Sequence, residues 1–229
     1  MTPPAPSSSS PGAKGEVRIE EPNRAQRTIA RRSAEARATV PDLELTAVVE
    51  LDESLALAVP PQLTASLVHA CAGALRAVPR ANGSYRDGRF ELYSRINIGV
   101  ILASDGAYAI PTLFDCERKS VAELAGELTA LEQRARDGEL LAPEQSGATF
   151  TVWNPGAAGV ASATPVVVPP QAAAVAAGAV RAVPVVRERA VVPSHCMAIT
   201  LACDHRILYG SDAAQFLTDI TTRLEEARL

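Results

Sequence analysis

The sequence predicts an α+β domain, a mixed sheet with helices packed on one side, and three observations lead there. Apolar patterns of period two and period 3.6 alternate irregularly along the 229 residues. Several pairs of apolar runs are split by short turn signals of the hairpin kind. Few strand-helix-strand stretches have the length that parallel pairing needs. Apolar residues make up 47% of the chain and charged residues 21%, the proportions of a globular protein with one sizeable core.

Residues 2–15 hold Pro, Ser, Ala and Gly with almost no large apolar side chain, so they cannot offset the entropy of ordering. Residues 1–21 are therefore expected to form a disordered tail or the remnant of a linker, and residues 22–229 one domain. Arg24 to Ala38 predicts a first helix, with Ile29, Ala30, Ser33 and Ala34 at helical offsets and Pro41 beyond its end. Leu43, Leu45, Ala47, Val49 and Leu51 alternate with Glu44, Thr46, Val48 and Glu50, the period of a strand with one buried face. Thr64 is placed to cap a helix carrying Leu67, Val68, Cys71 and Leu75, and Asn82-Gly83 and Asp87-Gly88 mark turns after it. Ile96 to Leu102 and Tyr108 to Leu113, split by Ser104-Asp105-Gly106, predict a hairpin.

Ser120-Val121-Ala122-Glu123 is a capping box, in which the hydroxyl and the carboxylate each satisfy an orphan amide at a helix start. The stripe Val121, Leu124, Leu128, Leu131 and Ala135 continues that helix to a stop at Gly138. Short strands are expected at Ala148 to Trp153, Ala172 to Gly178 and Met197 to Cys203. Ser211 is placed to cap a last helix with the stripe Ala213, Leu217, Ile220 and Leu224.

The net charge of −4 argues against nucleic acid or an anionic membrane as the main partner, since both call for a basic surface. No run approaches the ~18 apolar residues of a membrane span, and the start lacks the positive-then-apolar order of a secretion signal, so a cytoplasmic protein is expected. Cys71, Cys116, Cys196 and Cys203 show no C-x-x-C spacing and are expected as buried, reduced thiols. His69, His195 and His205 form no ligand pair at helical spacing, so no metal site is expected.

The segment richest in chemistry is Asp204-His205-Arg206-Ile207-Leu208-Tyr209-Gly210, at the end of a predicted buried strand and before a helix. Such a junction exposes a side chain on a rigid backbone, and histidine suits a general base because its ordinary pKa lies near neutrality. The segment resembles the D-H-R-x-x-D-G signature of the catalytic domain in the dihydrolipoamide acyltransferase component of 2-oxo acid dehydrogenase complexes. Arg27-Thr-Ile-Ala-Arg-Arg resembles that domain's opening helix, and Arg95-Ile-Asn-Ile-Gly-Val-Ile-Leu-Ala-Ser-Asp-Gly its "NIGVAV…DG" hairpin. Ala135-Arg-Asp-Gly-Glu-Leu, Gly147-Ala-Thr-Phe-Thr-Val-Trp-Asn-Pro-Gly and Pro170-Gln171-Ala172 follow its "AR.GKL", "GGTFTISNLG" and "PPQAAI" stretches in order, so the resemblance covers about residues 22–229.

The resemblance implies the chloramphenicol-acetyltransferase-like fold, a homotrimer with each active site at a subunit interface, and His205 as the base that deprotonates the attacking thiol or hydroxyl. Acetyl-CoA is the implied co-substrate, with no permanently bound cofactor and a small-molecule or carrier-linked acceptor. Two positions depart from the pattern. Trp153 stands where the family has a serine or threonine hydroxyl for the oxyanion, and Tyr209 where it has Asp or Asn. Gln26 also replaces an arginine before the Ile-Ala of the opening helix. These changes suggest a rebuilt pocket in which Trp153, Asn154 and Thr151 bind substrate and Tyr209 joins His205 in catalysis, the hydroxyl of Tyr209, Thr151 or Thr164 replacing the missing donor. Neither Lys14 nor Lys119 sits in the D-K-A hairpin that carries lipoate. The resemblance extends to stand-alone relatives of this domain in polyketide pathways, and it implies O-acetylation of a hydroxyl on a tetronate-type polyketide intermediate as the expected activity. The alternatives are a lipoyl-dependent acyltransferase core and a non-catalytic trimeric scaffold.

Overall fold

The structure, a computed structural model, describes residues 17–104 and 107–228. Most of the predicted tail and the last two positions of the Ser104-Asp105-Gly106 turn lie outside the described residues. Strands β1 (Asp42–Glu50), β4 (Ile98–Ser104), β5 (Ala107–Ala109), β7 (Phe150–Trp153), β8 (Ala173–Ala177) and β10 (Ala190–Asp204) form a sheet in the order β1-β10-β8-β7-β4-β5. β6 (Thr112–Leu113) adds to β4, and β9 (Arg181–Arg187) adds to β10. β4, β7 and β8 run parallel while the other pairs are antiparallel, so the sheet is mixed as predicted.

One face of this sheet meets α3 (Pro60–Ala77), α4 (Val121–Asp137) and α5 (Gly210–Glu226). Ile98, Val100, Phe150, Val152, Val175, Met197, Ile199 and Leu201 point into that interface, alternating along their strands as period two requires. Phe150 and Phe216 meet edge to face with centroids 5.9 Å apart, and both are fully buried. Each such side chain contributes about 2–3 kcal/mol relative to exposure. The predicted stripe of α4 buries Leu124, Leu128, Leu131 and Ala135, its capping box forms between Ser120 and Glu123, and Gly138 closes it at φ 72°.

The other face is covered less evenly. All five residues of β8 are buried, because Val167, Val40 and Ala202 form a small cluster over that side. A Cβ at Gly178 would lie 1.9 Å from the carbonyl oxygen of Ala161, so glycine is what lets the 156–162 segment cross the end of β8. α1 (Arg24–Thr39) buries only Ala36 and borders an open groove on this face.

Three local readings are corrected. α3 starts at Pro60, four residues before Thr64, because prolines at its first two positions already suit a helix start. α5 starts at Gly210 with Tyr209 as its unbonded N-cap, in place of Ser211. The last predicted strand runs from Ala190 and forms a hairpin with β9 that was not anticipated. The turn there is Glu188-Arg189, both at positive φ with no Asn-Gly or Asp-Gly to announce it, and Pro184 and Pro193 weaken the strand signal. A short helix α2 (Glu53–Ala56) and a separate ribbon of β2 (Gly83–Arg86) and β3 (Arg89–Leu92) complete the chain. The four cysteines are buried and free.

Candidate active site

Strand β10 ends in buried Ala202, Cys203 and Asp204, and its next residue is His205. The turn that follows is tied on every side. Asp204 N–H donates to Ala172 O at 2.8 Å, His205 N–H to Pro41 O at 3.0 Å, and Ile207 and Leu208 N–H to Asp204 O at 3.1 and 3.0 Å. The Asp204 carboxylate accepts from Arg206 N–H at 3.0 Å and from its guanidinium at 2.7 and 2.9 Å. Ile207 and Leu208 are fully buried, whereas the His205 side chain is exposed. Among the described residues neither of its ring nitrogens has a hydrogen-bond partner. An imidazole is thus held out on a fixed backbone with both nitrogens open, the geometry a proton acceptor needs.

Asp204 is the residue that fixes this turn. Its hydrogen bonds to Arg206 hold the guanidinium pKa above the ordinary arginine value. Asp204→Asn removes the charge from a carboxylate that is 4% exposed and is expected to destabilise the fold by about 1–3 kcal/mol, measured by urea denaturation. A loss below half a kcal/mol would mean that the backbone hydrogen bonds hold the turn unaided.

Through Tyr209, His205 adjoins a chain of rings and guanidiniums. The Tyr209 ring meets its imidazole edge to face at 6.1 Å, and the Arg80 guanidinium lies 5.8 Å from the Tyr209 centroid and 5.2 Å from that of Phe90. Arg206 lies 4.9 Å over Tyr85, which is 6.1 Å from Phe90. Sequence reasoning missed Arg80, Tyr85 and Phe90. The signal was present: Asp87-Gly88, at φ 50° and 75°, is the two-residue turn that closes a hairpin, flanked by Tyr85 and Phe90.

Trp153 ends β7 and points to the other face of the sheet, where it lines the groove of about 860 Å³ together with Ile29 and Arg32 of α1, Tyr108, Thr164 and Val166. Its indole N–H has no hydrogen-bond partner among the described residues. The remaining expected substrate contacts are engaged elsewhere. Thr151 is fully buried and its hydroxyl donates to Gln171 Oε1 at 2.7 Å. Asn154 donates from Nδ2 to Thr64 Oγ1 at 2.9 Å and accepts at Oδ1 from Gly156 N–H at 3.1 Å. Thr164 donates to Glu44 at 3.2 Å from the rim of the groove.

The strand register separates Trp153 from His205. Trp153 lies level with Ala176 and hence with Thr200, five residues short of His205 and two strands away. At about 3.3 Å per residue and about 4.8 Å per strand, their backbones stand roughly 19 Å apart. His205 is not among the residues lining the groove. Within a single chain, His205 and the groove are therefore separate.

Comparison with known proteins gives a consistent result. A family model described as 2-oxoacid dehydrogenases acyltransferase (catalytic domain) matches residues 14–229. The chain is 31% identical over 230 residues to the dihydrolipoyllysine-residue acetyltransferase component of the pyruvate dehydrogenase complex of Zymomonas mobilis subsp. mobilis, covering 93% of this chain and 52% of that protein. It thus spans about half the length of that curated relative. Among solved structures it matches the cubic core of the pyruvate dehydrogenase multienzyme complex with a TM-score of 0.87 at 26% identity, covering 98% of both chains. Chloramphenicol acetyltransferase matches with a TM-score of 0.50 at 15% identity over 85% of this chain and 94% of that one, a likeness of fold alone. The expected chloramphenicol-acetyltransferase-like mixed sheet is the observed fold.

Proposed function

The chain belongs to the family of 2-oxoacid dehydrogenase acyltransferase catalytic domains, and from that premise we propose that it transfers an acyl group between coenzyme A and a thiol acceptor of the dihydrolipoyl kind, with His205 as general base. The observation that carries this reading is the exposed, open-sided imidazole on the locked Asp204–Arg206 turn. His205 takes the proton from the attacking thiol, and the thiolate adds to the thioester carbonyl. The tetrahedral oxyanion then collapses, the carbon–sulfur bond to coenzyme A breaks, and the departing thiolate recovers the proton from the imidazolium.

Separation of His205 from the groove within one chain supports a site completed by a second copy, His205 of one subunit facing the Trp153 groove of the next, in a homotrimer. The curated relative named above is a dihydrolipoyllysine-residue acetyltransferase, which ranks thiol chemistry ahead of the O-acetylation of a tetronate-type hydroxyl expected from the sequence. One observation favours the hydroxyl acceptor as a second reading. The indole of Trp153 occupies the position where the sequence pattern leads one to expect a serine or threonine hydroxyl, in a groove lined largely by apolar side chains. No helix among the described residues is long and apolar enough to cross a membrane.

The deciding assay follows release of coenzyme A from acetyl-CoA with dihydrolipoamide and, in parallel, with small primary alcohols. Turnover with the thiol supports the first reading and turnover with alcohols alone the second. No turnover with either class would leave the non-catalytic scaffold.

A further inference from the structure

On the helical side of the sheet, away from the Trp153 groove, a cavity of about 360 Å³ opens between α3, the 3₁₀ turn at Cys116–Arg118 and α5. That volume lies in the range of small-molecule sites. His69, Gly73, Arg76, Cys116, Glu117 and Arg223 line it. We propose that this cavity binds a small anion that also carries a hydroxyl donor, of the kind found in phosphorylated polyols.

The argument rests on unmatched hydrogen-bonding groups that face one another. Arg76 and His69 have no partner among the described residues. Arg223 is steered by Asp219, which accepts from its Nε at 3.1 Å and leaves both terminal nitrogens without an acceptor. Glycine at position 73 is what allows that guanidinium to lie against α3, since a Cβ there would come within 2.6 Å of Arg223 Nη1. Opposite these donors stands the reverse defect. Glu117 Oε2 is buried with no hydrogen-bond partner, and its other oxygen is 3.7 Å from Arg118 Nε.

His69, Arg76 and Arg223 are exposed donors, whereas Glu117 Oε2 is buried. An unpartnered buried acceptor is costly, and a ligand hydroxyl that reaches it supplies what the free protein lacks. Arg223 is paired with Asp219, while Arg76 has no carboxylate partner among the described residues and the terminal nitrogens of Arg223 remain free, so the ligand's main group is an anionic oxygen cluster that takes charge-assisted hydrogen bonds from Arg76 and Arg223. A hydroxyl a few ångströms away then donates to Glu117 Oε2. Cys116 forms part of the lining, donates to Leu113 O at 3.2 Å and is pushed up by burial to about 12, so it stays a neutral thiol. The cavity is therefore a binding site with no nucleophile.

Calorimetric titration of the full chain with sn-glycerol 3-phosphate, ethyl phosphate and inorganic phosphate tests this. Glycerol 3-phosphate is expected to bind saturably in the millimolar range or tighter, and ethyl phosphate, which lacks the hydroxyls, several-fold more weakly. Arg76→Ala and Arg223→Ala should each weaken glycerol 3-phosphate about tenfold or more. Glu117→Gln should abolish the preference for glycerol 3-phosphate over ethyl phosphate while leaving ethyl phosphate bound as well as before or better. Gly73→Ala, which displaces Arg223 without removing it, should imitate Arg223→Ala at an unchanged circular dichroism spectrum. Absence of saturable binding by the parent chain at millimolar concentrations overturns the proposal, as does binding that survives in the Arg76→Ala/Arg223→Ala double variant.

Discussion

Replacement of His205 by alanine is expected to lower kcat for acetyl transfer to dihydrolipoamide by about 10²–10⁴, the range a positioned general base contributes. The side chain is exposed and makes no hydrogen bond among the described residues, so the fold loses little with it. Stability should change by no more than about half a kcal/mol, as for ordinary surface substitutions. The drop in rate is then attributable to chemistry. A stopped assay of free coenzyme A, run beside thermal unfolding of both proteins, separates the two effects. Equal turnover by His205→Ala would remove the base from the mechanism and with it the proposed reaction.

Trp153→Ser is expected to act in the opposite direction, raising turnover with dihydrolipoamide by up to about 10²–10³, the effect of one oxyanion donor. Serine would restore a hydroxyl at the end of β7 and would open the part of the groove that the indole fills. The indole is half-buried, so truncation should also cost about 1–3 kcal/mol of stability through lost packing. A gain with the thiol and a loss with alcohols would identify Trp153 as the residue that selects the acceptor. An unchanged rate with both would place the oxyanion elsewhere.

Local signals were legible in the sequence where the chain enforces them locally. The Ser120–Glu123 box, the α4 stripe and the alternation of β1 involve residues a few positions apart, and each is found as read. His205 at a strand end was legible for the same reason. The β9–β10 hairpin was not, because its turn uses Glu188 and Arg189 at positive φ and only the rest of the sheet holds them there. Thr64 read as a cap yet sits inside α3, where its hydroxyl meets Asn154, 90 positions away. Thr151 likewise read as a free hydroxyl near the site and is engaged by Gln171. The distance between Trp153 and His205 depends on a strand order that jumps from β10 to β8 to β7, and a motif does not encode it.

The sealed cysteines make the chain a reporter of its own opening. Burial raises the pKa of all four thiols, to about 12 for Cys116 and Cys203, so thiolate is scarce at neutral pH as well as inaccessible. Alkylation is therefore expected to be slow in the closed protein and to follow the fluctuations that expose a thiol. Cys71 lies on α3, Cys116 in the 3₁₀ turn that faces that helix across the cavity and Cys203 beside the His205 turn, so mass spectrometry of labelled peptides would time the breathing of the helical layer and of the turn separately.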